Sequence, residues 1–272
     1  MTARLLLLPV APHRARPTFV RSALALIACV LVFAFTSRAT AQSTSWTSAH
    51  QQATWLSTFV DHAITPRDAL WFDGHWRRMG FGESPQQLLL RGGVLHTIAP
   101  GVRVGGGYAY IATAPYGDVP IAAPLREHRI WQQLTLGHKA GAVSFVHRYR
   151  FEQRWLASVR ADASGDGSTL GPWAYQQRAR YQIRGQGNLP AMRLRGRPLL
   201  AFAYDELLMP IGHADATLRV TQNRLGGGIG IPVDARQRIE LGYMNLWNAI
   251  PARRANEINH TLTVSWVWTA TK

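Results

Sequence analysis

The sequence predicts an all-β protein: a single antiparallel transmembrane β-barrel of about twelve strands, or ten on an alternative count, behind a cleaved signal peptide. Three observations point there. Polar and apolar residues alternate with period two in segments about ten residues long, separated by Gly, Pro, Asp and Asn. The composition combines 10 Trp, 8 Tyr and 24 Gly with only 17% charged residues, where soluble domains carry about a quarter. The chain also opens on the three parts of an export signal.

That signal occupies residues 1–41. Arg14, Arg16 and Arg21 precede an uncharged apolar run, residues 22–35, and Ala39-Thr40-Ala41 supplies a small-x-small cleavage site after Ala41. The run is shorter than the roughly 20 residues a spanning helix needs. Leu26-Ile27-Ala28-Cys29 resembles a lipoprotein box, but six further apolar residues follow Cys29, so the ordinary signal is preferred. Cys29 is the only cysteine, and its removal leaves residues 42–272, one barrel domain, without a thiol for disulfides or thiolate metal sites.

Residues 143–155 carry the clearest strand. Val143, Phe145, His147, Tyr149 and Phe151 form one face; Ser144, Val146, Arg148, Arg150, Glu152 and Arg154 form the other. Helical periodicity would scatter these charges, whereas strand periodicity segregates them. In residues 173–184, Trp173, Tyr175, Ala179, Tyr181 and Ile183 oppose Gln176, Arg178, Arg180, Gln182 and Arg184. Residues 238–243 repeat the pattern, and Ile258, Leu262, Val264, Trp266 and Trp268 oppose Asn259, Thr261, Thr263 and Ser265. Fainter strands are expected at 54–64, 69–79, 87–97, 102–113, 127–138, 198–205 and 217–228.

These segments number eleven, whereas single-chain bacterial barrels have an even count with both ends on the periplasmic side. A short extra strand within 45–52 is expected to make twelve; merging or losing one segment makes ten. Short turns are expected at 65–67, 99–101, 139–141 and 232–234, and longer loops at 114–126 and 157–172. Residues 185–197 read as a long break where a short turn is due.

A sheet in lipid must close to leave no unpaired edge. An arginine facing hydrocarbon costs about 2–4 kcal/mol at mid-bilayer. Three on one strand would offset much of a net stability of about 5–15 kcal/mol. The arginine-bearing faces are therefore assigned to the lumen. Alternation places there Asp73, His75, Arg77, Arg103, Glu127, Arg129, Arg148, Arg150, Glu152, Arg154, Arg178, Arg180, Asp205, Arg238 and Glu240. Trp173, Trp247, Trp266 and Trp268 suit aromatic girdles, while His147 and Gln177 interrupt the lipid face.

Arg126 to Gln133, His147 to Trp155, Tyr204-Asp205-Glu206, Gln222 to Leu225, Gly228-Ile229-Gly230 and Asn259-His260, in that order, are similar to the domain-of-unknown-function 2490 family of bacterial outer-membrane proteins. The resemblance covers about residues 46–268. It implies an outer-membrane β-barrel and brings no established activity or catalytic residues. The chain departs from such barrels in closing on Thr269-Ala270-Thr271-Lys272 instead of an aromatic residue.

Three functions follow from such a lumen. The leading one is passive, anion-biased passage or binding of small anionic solutes, since rings of arginine favour anions; the plain structural alternative is an ionic network filling the space. A second is a lipid- or peptide-modifying hydrolase acting through Asp73 and His75, which share a face, although no serine stands in an obvious place to use them. Asp61-His62 and Glu127-His128 are adjacent residues and so point to opposite faces. A third is a structural or adhesive barrel binding through exposed loops such as 164–168. No cofactor or metal motif is present: ten histidines are scattered, and Gly105-Gly106-Gly107 and Gly226-Gly227-Gly228 lack the Lys-Ser/Thr of a phosphate loop. Partners are expected to be outer-membrane lipid, lipopolysaccharide and the barrel-insertion machinery. Nucleic acid is excluded by the export signal and the inward arginines.

Overall fold

The computed structural model describes residues 46–162, 167–212 and 219–270. The expected signal and its site at Ala41 lie outside them, as does most of the 164–168 loop. Each expected segment contains a strand, although the one expected at 217–228 begins only at Gln222, and no α-helix occurs among the described residues. The strands are β1 (Thr47–Ala63), β2 (Asp68–Met79), β3 (Ser84–Ala99) and β4 (Val102–Thr113). They continue as β5 (Leu125–Ala140), β6 (Val143–Ala161), β7 (Ser168–Leu170) and β8 (Ala174–Leu194). The last are β9 (Arg197–Ile211), β10 (Gln222–Pro232), β11 (Gln237–Ile250) and β12 (Ala255–Ala270).

Twelve strands form among the described residues, but only eleven close the barrel. Each pairs antiparallel with its sequence neighbour, and the short β7 lies outside, bonded only to the tail of β6. With an odd number of staves, the first and last must run the same way: β1 pairs with β12 in parallel, from Thr47 opposite Ala255 to His62 opposite Ala270. The expectation that both ends share one side is therefore corrected. Residues 47–52 are not a separate strand but the start of β1.

The expected break at 185–197 is also corrected. β8 and β9 project beyond their neighbours and turn through two residues only, Arg195 (φ 49°) and Gly196 (φ 78°). Two positive φ values match the twist of a tight hairpin. Pro190, which cannot donate to a ladder, sits where the β8–β9 register shifts between Leu189 and Arg193.

The two mouths differ. Five turns of two to four residues (64–67, 100–101, 141–142, 195–196 and 233–236) lie at one end, where β12 finishes. The other end, where β1 starts, carries the longer connections 114–124, 162–173 and 212–221. At that end Ala53, Trp55, Met79, Met244 and Leu246 make an apolar cluster inside the barrel. Tyr116 of the 114–124 loop folds in upon it and donates its hydroxyl to Glu257 Oε2 at 3.4 Å.

Faces alternate along every stave. Leu70, Phe72, Leu88, Leu90, Val94, Ile130, Leu241 and Leu262 stand exposed on the outer surface. The outward His147 is bonded to Tyr181 at 2.9 Å and the outward Gln177 to Tyr175 at 2.8 Å, so neither is left unpaired on the apolar face. Inside, the glycines of β4 leave room for a large ring: a Cβ on Gly107 would stand 2.7 Å from Cζ2 of Trp131, which is fully buried.

One candidate lumen residue is reversed. Asp205 faces outward, bonded by Asn223 Nδ2 at 2.5 Å, and its neighbour Glu206 points inward beside Phe202 and Leu208. The pleat fixes this: Phe202, Glu206 and Leu208 are buried together, and only one of two adjacent acids can share their face.

Candidate functional site in the barrel lumen

The lumen is crossed by a chain of ion pairs from facing strands. Glu152 of β6 has no exposed surface and accepts from Arg129 Nη1 (3.1 Å), Arg178 Nη2 (2.6 Å) and Arg180 Nη1 (2.8 Å). Arg180 reaches on to Glu206 (2.7 Å), which also takes Arg148 (2.9 Å) and Arg224 (3.1 Å). Glu127 holds Arg129 and Arg154, each at 2.7 Å. Asp73 is gripped by two parallel bonds from Arg91, both 2.9 Å. Nearer the short turns, Glu240 binds Arg184 (2.7 Å) and Arg238 (2.8 Å), and Asp61 binds Arg103 (2.6 Å).

Arginine outnumbers carboxylate, and rings take up part of the excess. The Arg77 guanidinium lies 3.7 Å over Trp55 while its Nη1 donates to Gln87 at 2.6 Å. Arg150 sits between Trp71 and Trp131, at 5.1 and 4.9 Å, and donates to Gln133. Such contacts contribute about 0.5–1 kcal/mol each at exposed sites and about 2 kcal/mol when desolvated.

Free space remains on both sides of this network. A cavity of about 320 Å³ lies toward the short turns. A smaller one of about 100 Å³ lies toward the loops. Trp55, Arg77, Arg91, Arg180 and Arg224 line both and so form the partition between them. Seven arginines and four carboxylates line the larger cavity. Exposure rises from 2% at Asp73 and 3% at Glu206 to 28% at Asp61 and 31% at Arg238, so this chamber opens at the short-turn mouth. Within the partition, Nε of Arg77, Arg180 and Arg224 and Nη1 of Arg91 meet no hydrogen-bond acceptor among the described residues.

A family model described as protein of unknown function, DUF2490, matches residues 52–257. The chain belongs to that family. The DUF2490 match begins inside β1 and ends inside β12, taking in every stave of the wall. No curated protein and no solved structure matches the chain.

In this DUF2490 barrel the structure gathers Glu127, Arg129, Glu152, Arg154, Arg178 and Arg180 into one network, with Arg148 joined through Glu206. Asp73, paired with His75, joins this network through Arg91, whose Nη1 lies 3.8 Å from Glu152, and Arg77, Arg103, Arg150, Arg238 and Glu240 bind locally. Sequence reasoning did not assign Asp61, Arg91, Arg184, Glu206 and Arg224 to the lumen. Arg184 stood on an arginine-bearing face already recognised, and Arg91 and Arg224 continue inward rows with Leu89 and Gly226. Among the described residues, no group of three His, Cys, Asp or Glu side chains could hold a metal ion.

Proposed function

We propose that this chain is a bacterial outer-membrane barrel, exported by a signal ending at Ala41, whose lumen binds a small anionic solute and does not conduct freely. The outer surface supports the location: a belt of exposed Leu, Val, Phe and Ile is what hydrocarbon solvates. Trp173 and Trp247 stand toward the loop rim and Trp266 and Trp268 toward the turn rim, like two interfacial girdles. Insertion would proceed through the barrel-insertion machinery, with lipopolysaccharide around the outer rim. Short turns face the periplasm in such barrels, so the larger chamber opens to the periplasm.

The observation that carries the binding reading is the charge excess of the larger chamber, lined by seven arginines against four carboxylates. Water can hydrate these guanidinium groups but leaves their excess charge uncompensated; an anion answers both. The partition of Trp55 and four arginines and the inward Tyr116 argue against an open channel.

Titrating the detergent-folded protein with inorganic pyrophosphate, followed by tryptophan emission, is expected to give saturable binding. Arg77→Gln with Arg224→Gln should weaken it at least about tenfold, or about 1.4 kcal/mol. Unchanged affinity in a variant that still folds would remove the reading. In planar bilayers the unmodified protein should show no sustained current, and steady cation-preferring conductance would equally count against it.

A further inference from the structure

We propose that Ser57, His75 and Asp73 form a nucleophilic site in the wall of the larger chamber, cleaving a small carboxylic ester that carries a negative charge. The site shares the chamber of the preceding reading and relies on it only for the charge of the substrate. Asp73 and His75 lie two apart on β2 and so share the inner face. The β1–β2 register sets Ser57 directly opposite His75, where side chains of an antiparallel pair meet. The Ser57 hydroxyl stands 2.8 Å from His75 Nδ1, and His75 Nε2 stands 3.3 Å from Asp73 Oδ2. All three line the chamber.

The carboxylate decides the tautomer. With Nε2–H donated to Asp73, Nδ1 carries the lone pair and accepts the serine proton, which is the arrangement an activated hydroxyl needs. Phe59 and Trp55 meet the imidazole edge-on, at 5.3 and 6.4 Å, and hold its plane. Arg91 fixes Asp73 through two bonds, so the orienting carboxylate cannot swing away. Opposite Ser57 on the other side stands Ser265, and the guanidinium groups of Arg77, Arg91 and Arg224 line the same chamber, giving it the positive field that a developing oxyanion needs.

The reaction balances without a further reagent. Ser57 Oγ bonds to the ester carbonyl carbon as its proton passes to His75 Nδ1. The C–O bond to the alcohol breaks, and His75 returns the proton to the departing alkoxide. Water then attacks the acyl-serine, giving its proton to His75, and the carboxylic acid leaves as Ser57 regains its hydrogen.

The test uses the full-length mature protein folded in detergent, with mono-4-nitrophenyl succinate as substrate and 4-nitrophenyl acetate as the neutral comparison. Nitrophenolate release is expected with a preference for the anionic ester. His75→Gln should slow it about 10²–10⁴-fold, and Ser57→Ala should abolish it. A fluorophosphonate reagent should label Ser57, located by mass spectrometry of the peptide, and that label should vanish in Ser57→Ala. Pyrophosphate binding serves as the folding control. Unlabelled Ser57, or Ser57→Ala with unchanged rate, while pyrophosphate still binds, overturns the nucleophile and leaves anion binding standing. Labelling of Ser57 without pyrophosphate binding does the reverse.

Discussion

Glu152→Gln is expected to lower the folding stability of the barrel by about 3–5 kcal/mol, the cost of removing one partner from a buried charge cluster. Its carboxylate is fully buried, bonded to Arg129, Arg178 and Arg180, with Arg91 Nη1 3.8 Å away. The amide keeps the shape but removes the only negative charge that these four guanidinium groups share at that point. The measurement is the urea midpoint for unfolding from lipid vesicles, followed by tryptophan emission. Asp61→Asn is the internal comparison. Its pair with Arg103 is about one-third exposed at the mouth, so its loss should be under about 1 kcal/mol. Equal effects from the two substitutions would mean that Glu152 is not the hub of the network.

Leu90→Arg addresses the other face of the wall. Leu90 lies near the middle of β3 and projects outward, 44% exposed. An arginine at the centre of the hydrocarbon belt should destabilise the folded barrel in vesicles by about 2–4 kcal/mol. On a surface bathed by water, the same change falls within about 0.5 kcal/mol. The vesicle measurement therefore distinguishes the two solvents for the outer face, and a neutral outcome in vesicles would remove the membrane from the account.

Much of this architecture was legible because a strand writes its two environments into alternate residues. Arg148, Arg150, Glu152 and Arg154 could be assigned to one face from spacing alone, and they share one. Asp205 failed because its strand lines the lumen with Phe202, Tyr204 and Leu208 as well as Glu206. Where the inner face is itself apolar, polarity no longer tells the faces apart. Glu206 is drawn inward by Arg148, Arg180 and Arg224 on other strands, a cause that lies far away in sequence. Residues 185–197 misled because Gly185, Gly187 and Pro190 usually end strands. Here they belong to a long hairpin whose bulge lies between Leu189 and Arg193. The antiparallel order of neighbouring strands was read correctly, but the parallel closure of β1 on β12 was not, since it follows from an odd number of staves and alternation does not fix that number. The meeting of Ser57 with His75 had a faint signal: each stands nine residues from Pro66, the centre of the turn between their strands.

The same-direction seam between β1 and β12 governs how the protein can be re-engineered. Its two strand ends, at Thr47 and Ala270, emerge from opposite mouths, separated by the height of a 17-residue stave, about 55 Å at roughly 3.3 Å per residue. A short peptide therefore cannot join them, and the partition across the bore leaves no path for a longer linker inside, so the wall resists circular permutation. For the outer-membrane location proposed above, reporter domains fused at the two positions are expected in different compartments, one open to added protease on intact cells and the other shielded.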